Sequence, residues 1–366
     1  MSETPVGTLD DLVRDASVVV CCGSGGVGKT TTAAAIALEG ARRGRRAVVV
    51  TIDPARRLAD ALGIDQIGND PALVTGPWPG TLSALMLDTE GTFDDLVSRY
   101  AGSPDQAEKI LSNRFYRNIA GALSGTQEYM ASEKLYELAT SDDYDLIVVD
   151  TPPTRNALDF LDAPGRLARF LDHRLYRVLT APTRGLVRAV NMAAQTFLRS
   201  VGKVVGGEVI ADAIAFFAAF EGMDEGFKSR ARLVERLLVA DSTAFVLVAS
   251  PRRDTVTEAA YFAGRLAEND IDVRALVVNR IHPTVGAHSP AEAEEAAERY
   301  AGTALGSQYR ALADLVTIAS AERAYLEPLH RRITGATLCE VPFLPVEVHD
   351  LETLELLGSH LFTDIA

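Results

Sequence analysis

The chain has 366 residues, 47% of them hydrophobic and 23% charged, which is typical of one large globular α/β domain or two ordinary ones. Its 36 basic and 50 acidic side chains give a net charge of −14, which argues against general nucleic-acid binding, because phosphate contacts need a basic surface. The three cysteines (Cys21, Cys22 and Cys339) exclude a disulfide framework and lack the paired spacing of a structural zinc site.

The chain begins with an acidic stretch, and a P-loop follows it. Residues 1–17 contain no apolar run, so no signal peptide is predicted and we expect a cytoplasmic protein. Ser17–Cys22 has the apolar, β-branched composition of a strand buried on both faces, and Thr32–Arg43 has that of a helix. Between them, Gly23–Thr30 matches the pattern G-x-x-x-x-G-K-[ST], whose backbone N–H groups hold phosphate oxygens. The residues predicted to bind nucleotide here are Gly25, Gly26, Val27, Gly28, Lys29, Thr30 and Thr31.

Two of these side chains have assigned chemistry in a P-loop. Lys29 is expected to bridge the β- and γ-phosphates, which makes it a predicted catalytic residue. The hydroxyl of Thr30 is expected to ligate Mg²⁺. Mg²⁺ and a nucleoside triphosphate are therefore the predicted cofactor and ligand.

Two further strands end in aspartates that would lie near the P-loop. Arg46–Ile52 is followed by Asp53, and Tyr144–Val149 is followed by Asp150. Because ligands of open α/β sheets sit beyond the carboxyl ends of the strands, both carboxylates are expected at one rim. Asp150 has the Walker-B form and is predicted to reach Mg²⁺ through water, whereas Asp53 is the better candidate for polarising the attacking water.

The strand predicted at Val273–Val278 bears on which base is bound. It ends in Asn279-Arg280-Ile281-His282, without the aspartate that a guanine site needs shortly after an N-K pair. An amide such as that of Asn279 can both donate to and accept from adenine. ATP is therefore favoured over GTP.

At this point the chain resembles the deviant Walker A ATPases, and among them the arsenical pump-driving ATPases and the ATPase that guides tail-anchored membrane proteins. The segments that carry the resemblance are the P-loop, the switch I-like Thr51–Asp60, the switch II-like Asp150–Thr154, Val277–Asn279 and Val341–Pro345. The resemblance implies a parallel sheet with a helical insertion, working as a dimer with nucleotides at its interface. It also implies that Asp53 acts on water and that Pro342 and Phe343 form the adenine wall.

Several positions depart from that family's pattern. Ser24 stands where the family has a lysine that reaches the partner's nucleotide, Arg56 replaces the switch I histidine, and Arg155-Asn156 replaces a glycine–histidine pair. The C-x-x-C zinc clip has no counterpart in His282–Ser289, so no zinc is expected. Either this chain pairs with a lysine-bearing relative, which we favour, or it forms a homodimer in which another cation such as Arg155 or Arg56 acts.

The sequence predicts an α/β fold, a mostly parallel P-loop NTPase sheet with helices on both faces. Residues 1–155 and 240–366 are predicted to form its core, and 156–239 a helical insertion. Between Gly165 and Lys203 the insertion carries eight basic side chains and one acid, beside an apolar stripe at helical spacing. The bland interpretation is that apolar stripes of the insertion pack on each other. The alternatives are a groove for an apolar client, or a basic amphipathic surface that docks on anionic lipid and would place the protein at the membrane periphery.

The leading hypothesis is an ATPase whose nucleotide state opens and closes a dimer and couples it to a protein or membrane partner. The alternative is a nucleotide-binding regulatory subunit with weak hydrolysis that works in a heterodimer. Ser24 favours the regulatory subunit, whereas Asp53 and Asp150 favour the ATPase. A partition-type ATPase fits less well, since the insertion is longer than such a protein needs. A small-molecule kinase also fits less well, since the sequence indicates no site for a phosphate acceptor.

Overall fold

The protein is described here by a computed structural model. The described residues are 8–53, 57–64, 67–114, 116–117, 126–152, 161–163, 165, 169, 212, 215–216, 218–219, 222–284 and 289–362. Arg56, Arg155 and Asn156 lie outside these ranges, as do nearly all residues of the basic and apolar stripes in the predicted insertion.

An eight-stranded sheet with the order β3-β4-β2-β5-β1-β6-β7-β8 organises the fold. Every neighbouring pair is parallel except β3 and β4 at one edge, which are antiparallel. The predicted α/β fold class is therefore confirmed. The strands are β1 (Val18–Cys22), β2 (Arg46–Thr51), β3 (Ala72–Val74), β4 (Thr81–Met86), β5 (Leu146–Asp150), β6 (Thr243–Ala249), β7 (Val273–Ile281) and β8 (Thr337–Pro342).

The central strands are buried on both faces, as their continuous apolar runs predict. All five residues of β1 are buried, and so are all of β5 and β6. In register, Val18 of β1 lies beside Ile147 of β5 and Thr243 of β6. This arrangement puts the ends of β1 and β5 next to each other, at the edge where the P-loop begins.

The helices described are α1 (Leu9–Asp15), α2 (Lys29–Arg42), α3 (Arg57–Leu62), α4 (Thr89–Tyr100), α5 (Pro104–Leu111), α6 (Thr126–Thr140), α7 (Asp224–Leu238), α8 (Arg253–Ala267), α9 (Pro290–Arg299), α10 (Ala304–Arg332) and α11 (Leu351–Leu361). Most begin with a side-chain cap, such as Thr8 before α1 and Ser289 before α9. The helix after the P-loop differs, because its N-cap is Gly28 in a left-handed conformation without a side-chain cap. Its first N–H groups are therefore available to an anion.

The chain divides into two compact units. The first contains the whole sheet and comprises residues 1–86, 138–158 and 239–366; the second comprises 87–137 and 159–238. The division predicted from the sequence, with an insertion confined to 156–239, stays a prediction. Within the described ranges, none of the helices is long and apolar enough to cross a membrane.

Candidate functional site

A cavity of about 770 Å³ opens at the carboxyl ends of the parallel strands, within the first unit. This is the position at which open α/β sheets bind their ligands. The P-loop, the segment after β2, the end of β7 and the segment after β8 all contribute to its wall. The residues that line it are Gly26, Gly28, Lys29, Thr30, Thr31, Asp53, Arg57, Asp60, Thr151, Asn279, Arg280, Pro342, Phe343, Leu344, Pro345, Val346, Glu347, Val348, His349 and Leu357.

Glycine is required at two positions of the P-loop for different reasons. Gly26 has φ = +73° and Gly28 has φ = +98°, in a region that side chains with a Cβ rarely adopt. Around Gly26 nothing lies within 4 Å of the place a Cβ would take, so backbone conformation alone explains it. At Gly28 a Cβ would lie only 2.2 Å from Nδ2 of Asn279. The loop and the end of β7 therefore pack too closely there for any side chain.

Lys29 starts α2 with its ammonium group inside the loop. Its Nζ donates to the carbonyl oxygen of Ser24 at 2.8 Å, and the residue is only 5% exposed. Burial lowers the pKa of Lys29, and the nearby carboxylate of Asp150 acts in the opposite direction. An ammonium group held in this way can donate to a phosphate oxygen with little further loss of side-chain entropy.

Ser24 contributes its carbonyl to this arrangement, and its side chain is buried beside it. The residue is 5% exposed, and its Oγ has no hydrogen-bond partner among the described residues. The side chain is therefore a buried, uncharged group in this conformation.

Asp150, the last residue of β5, is arranged to support a divalent cation. Its Oδ2 accepts from the hydroxyls of Thr30 at 2.8 Å and Thr51 at 3.0 Å. Its Oδ1 is buried and has no hydrogen-bond partner within the described part of the chain. Burial raises the pKa of Asp150 from its ordinary 3.8 to about 6, so the carboxylate is mostly ionised at neutral pH and carries a desolvation cost.

The donor set of Thr30 and Asp150 fits Mg²⁺. This ion takes one or two protein oxygens and completes its octahedron with waters and substrate phosphates. The free Oδ1 of Asp150 and the hydroxyl of Thr30 supply such oxygens. Across the described ranges no group of three or more His, Cys, Asp or Glu residues is placed to hold a metal by itself, and a Mg²⁺ site of this kind does not need one.

Asp53 lies on the cavity wall directly after β2. Its backbone N–H donates to the hydroxyl of Thr51 at 3.2 Å, and its side chain is 20% exposed. The guanidinium of Arg57 lies 3.9 Å from Oδ2. The carboxylate thus reaches the same cavity as Lys29 and Thr30, in a position open to a water molecule. Pro54, Ala55 and Arg56, the next residues of the switch I-like segment, lie outside the described residues.

Asn279 has a contact that the sequence did not indicate. Its Nδ2 donates to the carbonyl oxygen of Val27 at 2.9 Å, and the residue is buried. One N–H of the amide is therefore used to hold the P-loop against the end of β7. The residue also lines the cavity, where its predicted contact with adenine stays a prediction.

Arg280 also lines the cavity, although no sequence motif assigns it to the site. It has φ = +65°, at the point where the β7–β8 register shifts, and its Nη1 lies 3.4 Å from the carbonyl oxygen of Gly26. The side chain is exposed. The Asn-Arg pair at a strand end was visible in the sequence, but the backbone turn that brings Arg280 over the loop was not.

Pro342 ends β8, Phe343 follows it, and both residues line the cavity. The Phe343 side chain is 62% exposed, although its backbone N–H donates to the carbonyl oxygen of Ile281 at 3.0 Å. Its ring lies nearly parallel to that of His282, with 5.9 Å between the ring centroids and 16° between the planes. Because its ring is exposed and its backbone is held by this hydrogen bond, Phe343 can stack on a flat ligand group.

Comparison with known proteins agrees with this geometry. The family described as anion-transporting ATPases matches residues 16–311, which is more than half of the chain. The chain is similar to the ATPase GET3 of Phaeosphaeria nodorum, with 27% identity over 265 residues, 71% of this chain and 74% of that protein. It is also similar to the ATPase GET3 of Chaetomium globosum, with 26% identity over 346 residues, 93% of this chain and 88% of that protein.

Proposed function

Since the chain belongs to the anion-transporting ATPase family and is an ATPase, we propose that ATP binding and hydrolysis in this cavity switch it between two states that a protein or membrane partner distinguishes. The observation that carries the proposal is the meeting of Lys29, Asp53 and the Thr30–Asp150 pair at one cavity. Phosphoryl transfer to water needs little more from a protein than positioned charges of this kind.

The P-loop side chains would act on the triphosphate. Lys29 would leave the Ser24 carbonyl for the β- and γ-phosphate oxygens, while the free N–H groups at the start of α2 receive the β-phosphate. Mg²⁺, held by Thr30 and through water by Asp150, would neutralise charge on the same phosphates. Asp53 would orient the attacking water and accept its proton.

The nucleobase would lie at the opposite end of the cavity. Phe343 and Pro342 offer it an apolar wall, and Asn279 retains one N–H and its carbonyl oxygen for the edge of adenine. The chain would then use ATP in preference to GTP.

We also propose that the working form is a dimer with nucleotide at its interface. Ser24 is buried and uncharged, so it cannot supply the cationic contact across the interface that the resemblance implies. Pairing with a lysine-bearing relative would equip the site on this chain with the missing cation. In a homodimer another cation must act, and Arg280 is a described residue at the cavity that could do so. The resemblance to the ATPase that guides tail-anchored membrane proteins makes an apolar protein client the proposed partner, in the cytoplasm or at the membrane periphery.

The experiment is a turnover assay on the isolated chain, with and without a lysine-bearing relative, together with the native mass in ATP and in buffer. A dimer that tightens with ATP and a rate that rises when the relative is added would support the heterodimeric ATPase. Ser24→Lys should then raise the rate of the isolated protein, because an arginine supplied in trans accelerates related reactions by roughly 10³–10⁵-fold. An unchanged rate in Ser24→Lys, with no relative co-purifying, would refute the heterodimer.

The alternative function that we propose is that of a regulatory subunit, which binds ATP and hydrolyses it poorly. The buried, uncharged side chain at Ser24 favours it. In that case the isolated chain would bind ATP tightly but turn it over at a rate close to that of Asp53→Asn. The same assay therefore separates the two functions.

A further inference from the structure

An exposed aromatic side chain at a ligand cavity is useful for stacking only if its ring is held in place. Phe343 is 62% exposed, so its own packing constrains it little. Binding a nucleobase would then require the ring to lose rotamer freedom, which weakens affinity. The structure contains contacts that restrict the ring before any ligand arrives.

The first of these contacts is with His282, three residues after Asn279. The two rings are offset-stacked, with 5.9 Å between the centroids and 16° between the planes. The backbone pairs the same two segments, because the N–H of Phe343 donates to the carbonyl oxygen of Ile281 at 3.0 Å. The orientation of the Phe343 ring therefore depends on the orientation of His282.

His282 is in turn fixed by Glu322, which lies on α10. One carboxylate oxygen, Oε2, accepts from the backbone N–H of His282 at 2.8 Å. The other, Oε1, lies 2.7 Å from Nδ1 of the same residue. The two bonds from one carboxylate hold both the backbone and the ring of His282, and they assign the Nδ1 proton to this contact. The Glu322 side chain is only 12% exposed, so solvent competes little for these bonds.

We propose that His282 and Glu322 are positioning residues for the nucleobase wall, and that they hold the Phe343 ring in the plane in which adenine stacks. This role presupposes the adenine-nucleotide site proposed above. None of the described residues of α10 lines the cavity. Through Glu322, however, this helix would affect the affinity for the base. The phosphate end of the site does not take part.

The test compares Mg·ATP with Mg·tripolyphosphate, which has the phosphates but no base. Affinities are measured by calorimetry for the wild type and for Phe343→Ala, His282→Ala, Glu322→Ala and Glu322→Gln. Glu327→Ala is the matched control, since Glu327 lies on the same helix and pairs only with exposed Arg331 in the described structure. Thermal unfolding of each variant shows whether it is folded.

Loss of base stacking in Phe343→Ala should weaken ATP binding about 5- to 150-fold, the range found when stacking aromatics are replaced by alanine. His282→Ala and Glu322→Ala should weaken it by a smaller factor, roughly 3- to 10-fold, because the ring remains but is no longer pre-oriented. The KM for ATP should rise by the same factor with kcat nearly unchanged. Tripolyphosphate binding should not change, and Glu322→Gln, which keeps an acceptor for the backbone N–H, should recover most of the ATP affinity.

Equal losses for ATP and tripolyphosphate in His282→Ala or Glu322→Ala would overturn the positioning role, because they would mean a general structural effect. Unchanged ATP binding in both variants would overturn it too. If His282→Ala does not fold, the comparison of Glu322→Ala with Glu322→Gln decides. A wild-type protein that binds tripolyphosphate as tightly as ATP would refute the adenine wall and with it this inference, while leaving the P-loop intact. One that binds neither ligand would refute the proposed function itself.

Discussion

The packing of Gly28 against Asn279 allows a quantitative prediction about the P-loop. In Gly28→Ala the new Cβ would stand 2.2 Å from Nδ2 of Asn279, so the amide has to move. Moving it breaks the 2.9 Å bond that Asn279 donates to the carbonyl oxygen of Val27. The substitution also puts alanine at φ = +98°. Two separate costs therefore arise from one methyl group.

The two costs can be assigned magnitudes. Left-handed backbone costs an L-residue roughly 1–2 kcal/mol, and a buried polar group left unpaired costs about 1–3 kcal/mol. Gly28→Ala should therefore lower the free energy of unfolding by about 2–5 kcal/mol. Asn279→Ala alone should cost about 1–3 kcal/mol, because Val27 loses its donor. In the double variant the overlap is gone and the Val27 bond is lost only once, so the double variant should cost about 1–3 kcal/mol less than the two single costs added together.

Urea unfolding of the nucleotide-free protein, for the wild type, both single variants and the double variant, measures this coupling. Gly26→Ala is the matched control, because Gly26 also has positive φ but nothing within 4 Å of its Cβ position. Its cost should be roughly 1–2 kcal/mol and should add to that of Asn279→Ala within about 0.5 kcal/mol. Additive costs for the Gly28→Ala and Asn279→Ala pair would refute the close packing of the loop on β7.

The other predictions concern the charged groups of the site. Lys29→Ala should slow ATP hydrolysis about 10²–10³-fold in a phosphate-release assay, because the γ-phosphate loses a preorganised cation. Asp53→Asn should keep ATP affinity near the wild-type value in a binding titration but slow hydrolysis about 10²–10⁴-fold, since only the water-orienting carboxylate is altered. For Asp150, burial raises the pKa of the folded state to about 6 from its ordinary 3.8, so the stability from this group is present below about pH 4 and lost as the pH rises through 6. This shift corresponds to about 3 kcal/mol. Raising the pH from about 4 to 8 should therefore lower the free energy of unfolding of the ligand-free wild type relative to that of Asp150→Asn. The same variant should lose Mg²⁺-dependent turnover.

Each of these has an outcome that contradicts it. Normal nucleotide binding and hydrolysis in Lys29→Ala would remove the P-loop assignment. Normal turnover in Asp53→Asn would leave that carboxylate a structural role and require another group to orient the water. A stability difference between Asp150→Asn and the wild type that does not change with pH would mean that the carboxylate is not desolvated in the folded protein.

The sequence predicted the parts of the fold that local patterns determine. The unbroken β-branched run before the P-loop predicts a strand, and that strand ends at Cys22 as predicted. The stretch Asn69–Gly80 is rich in proline and glycine, which is typical of a loop, but it contains β3 at Ala72–Val74. Three residues between proline and glycine carry too little periodicity for a strand to be recognised, and the pairing with β4 that forms it is not a local property.

The residues of the candidate site likewise include some that local sequence patterns predict and some that they do not. A contiguous motif and a strand-end rule predict that Lys29, Thr30 and Asp150 lie together. Lys29 and Thr30 line one cavity and Thr30 donates to Asp150, while their roles toward nucleotide and Mg²⁺ stay predictions. The contact of Asn279 with Val27 joins residues that are 252 positions apart in the sequence, and no sequence pattern predicts it. The stacking of His282 on Phe343 likewise depends on which strand neighbours β7. Sequence patterns thus indicate which residue types are available, while the topology decides which of them meet.

The neighbours of β1 have a consequence for how the protein is made. β1 leaves the ribosome before either of the strands that it pairs with, β5 near Ile147 on one side and β6 near Thr243 on the other. Contacts between residues so far apart in sequence form slowly, because a long loop must close first. The nascent chain therefore exposes the five apolar residues Val18–Cys22 without any partner strand until β5 has been translated, and with one edge still unpaired until β6 has been translated. The wall of the cavity is completed later still, when β8 adds Pro342 and the residue after it, Phe343.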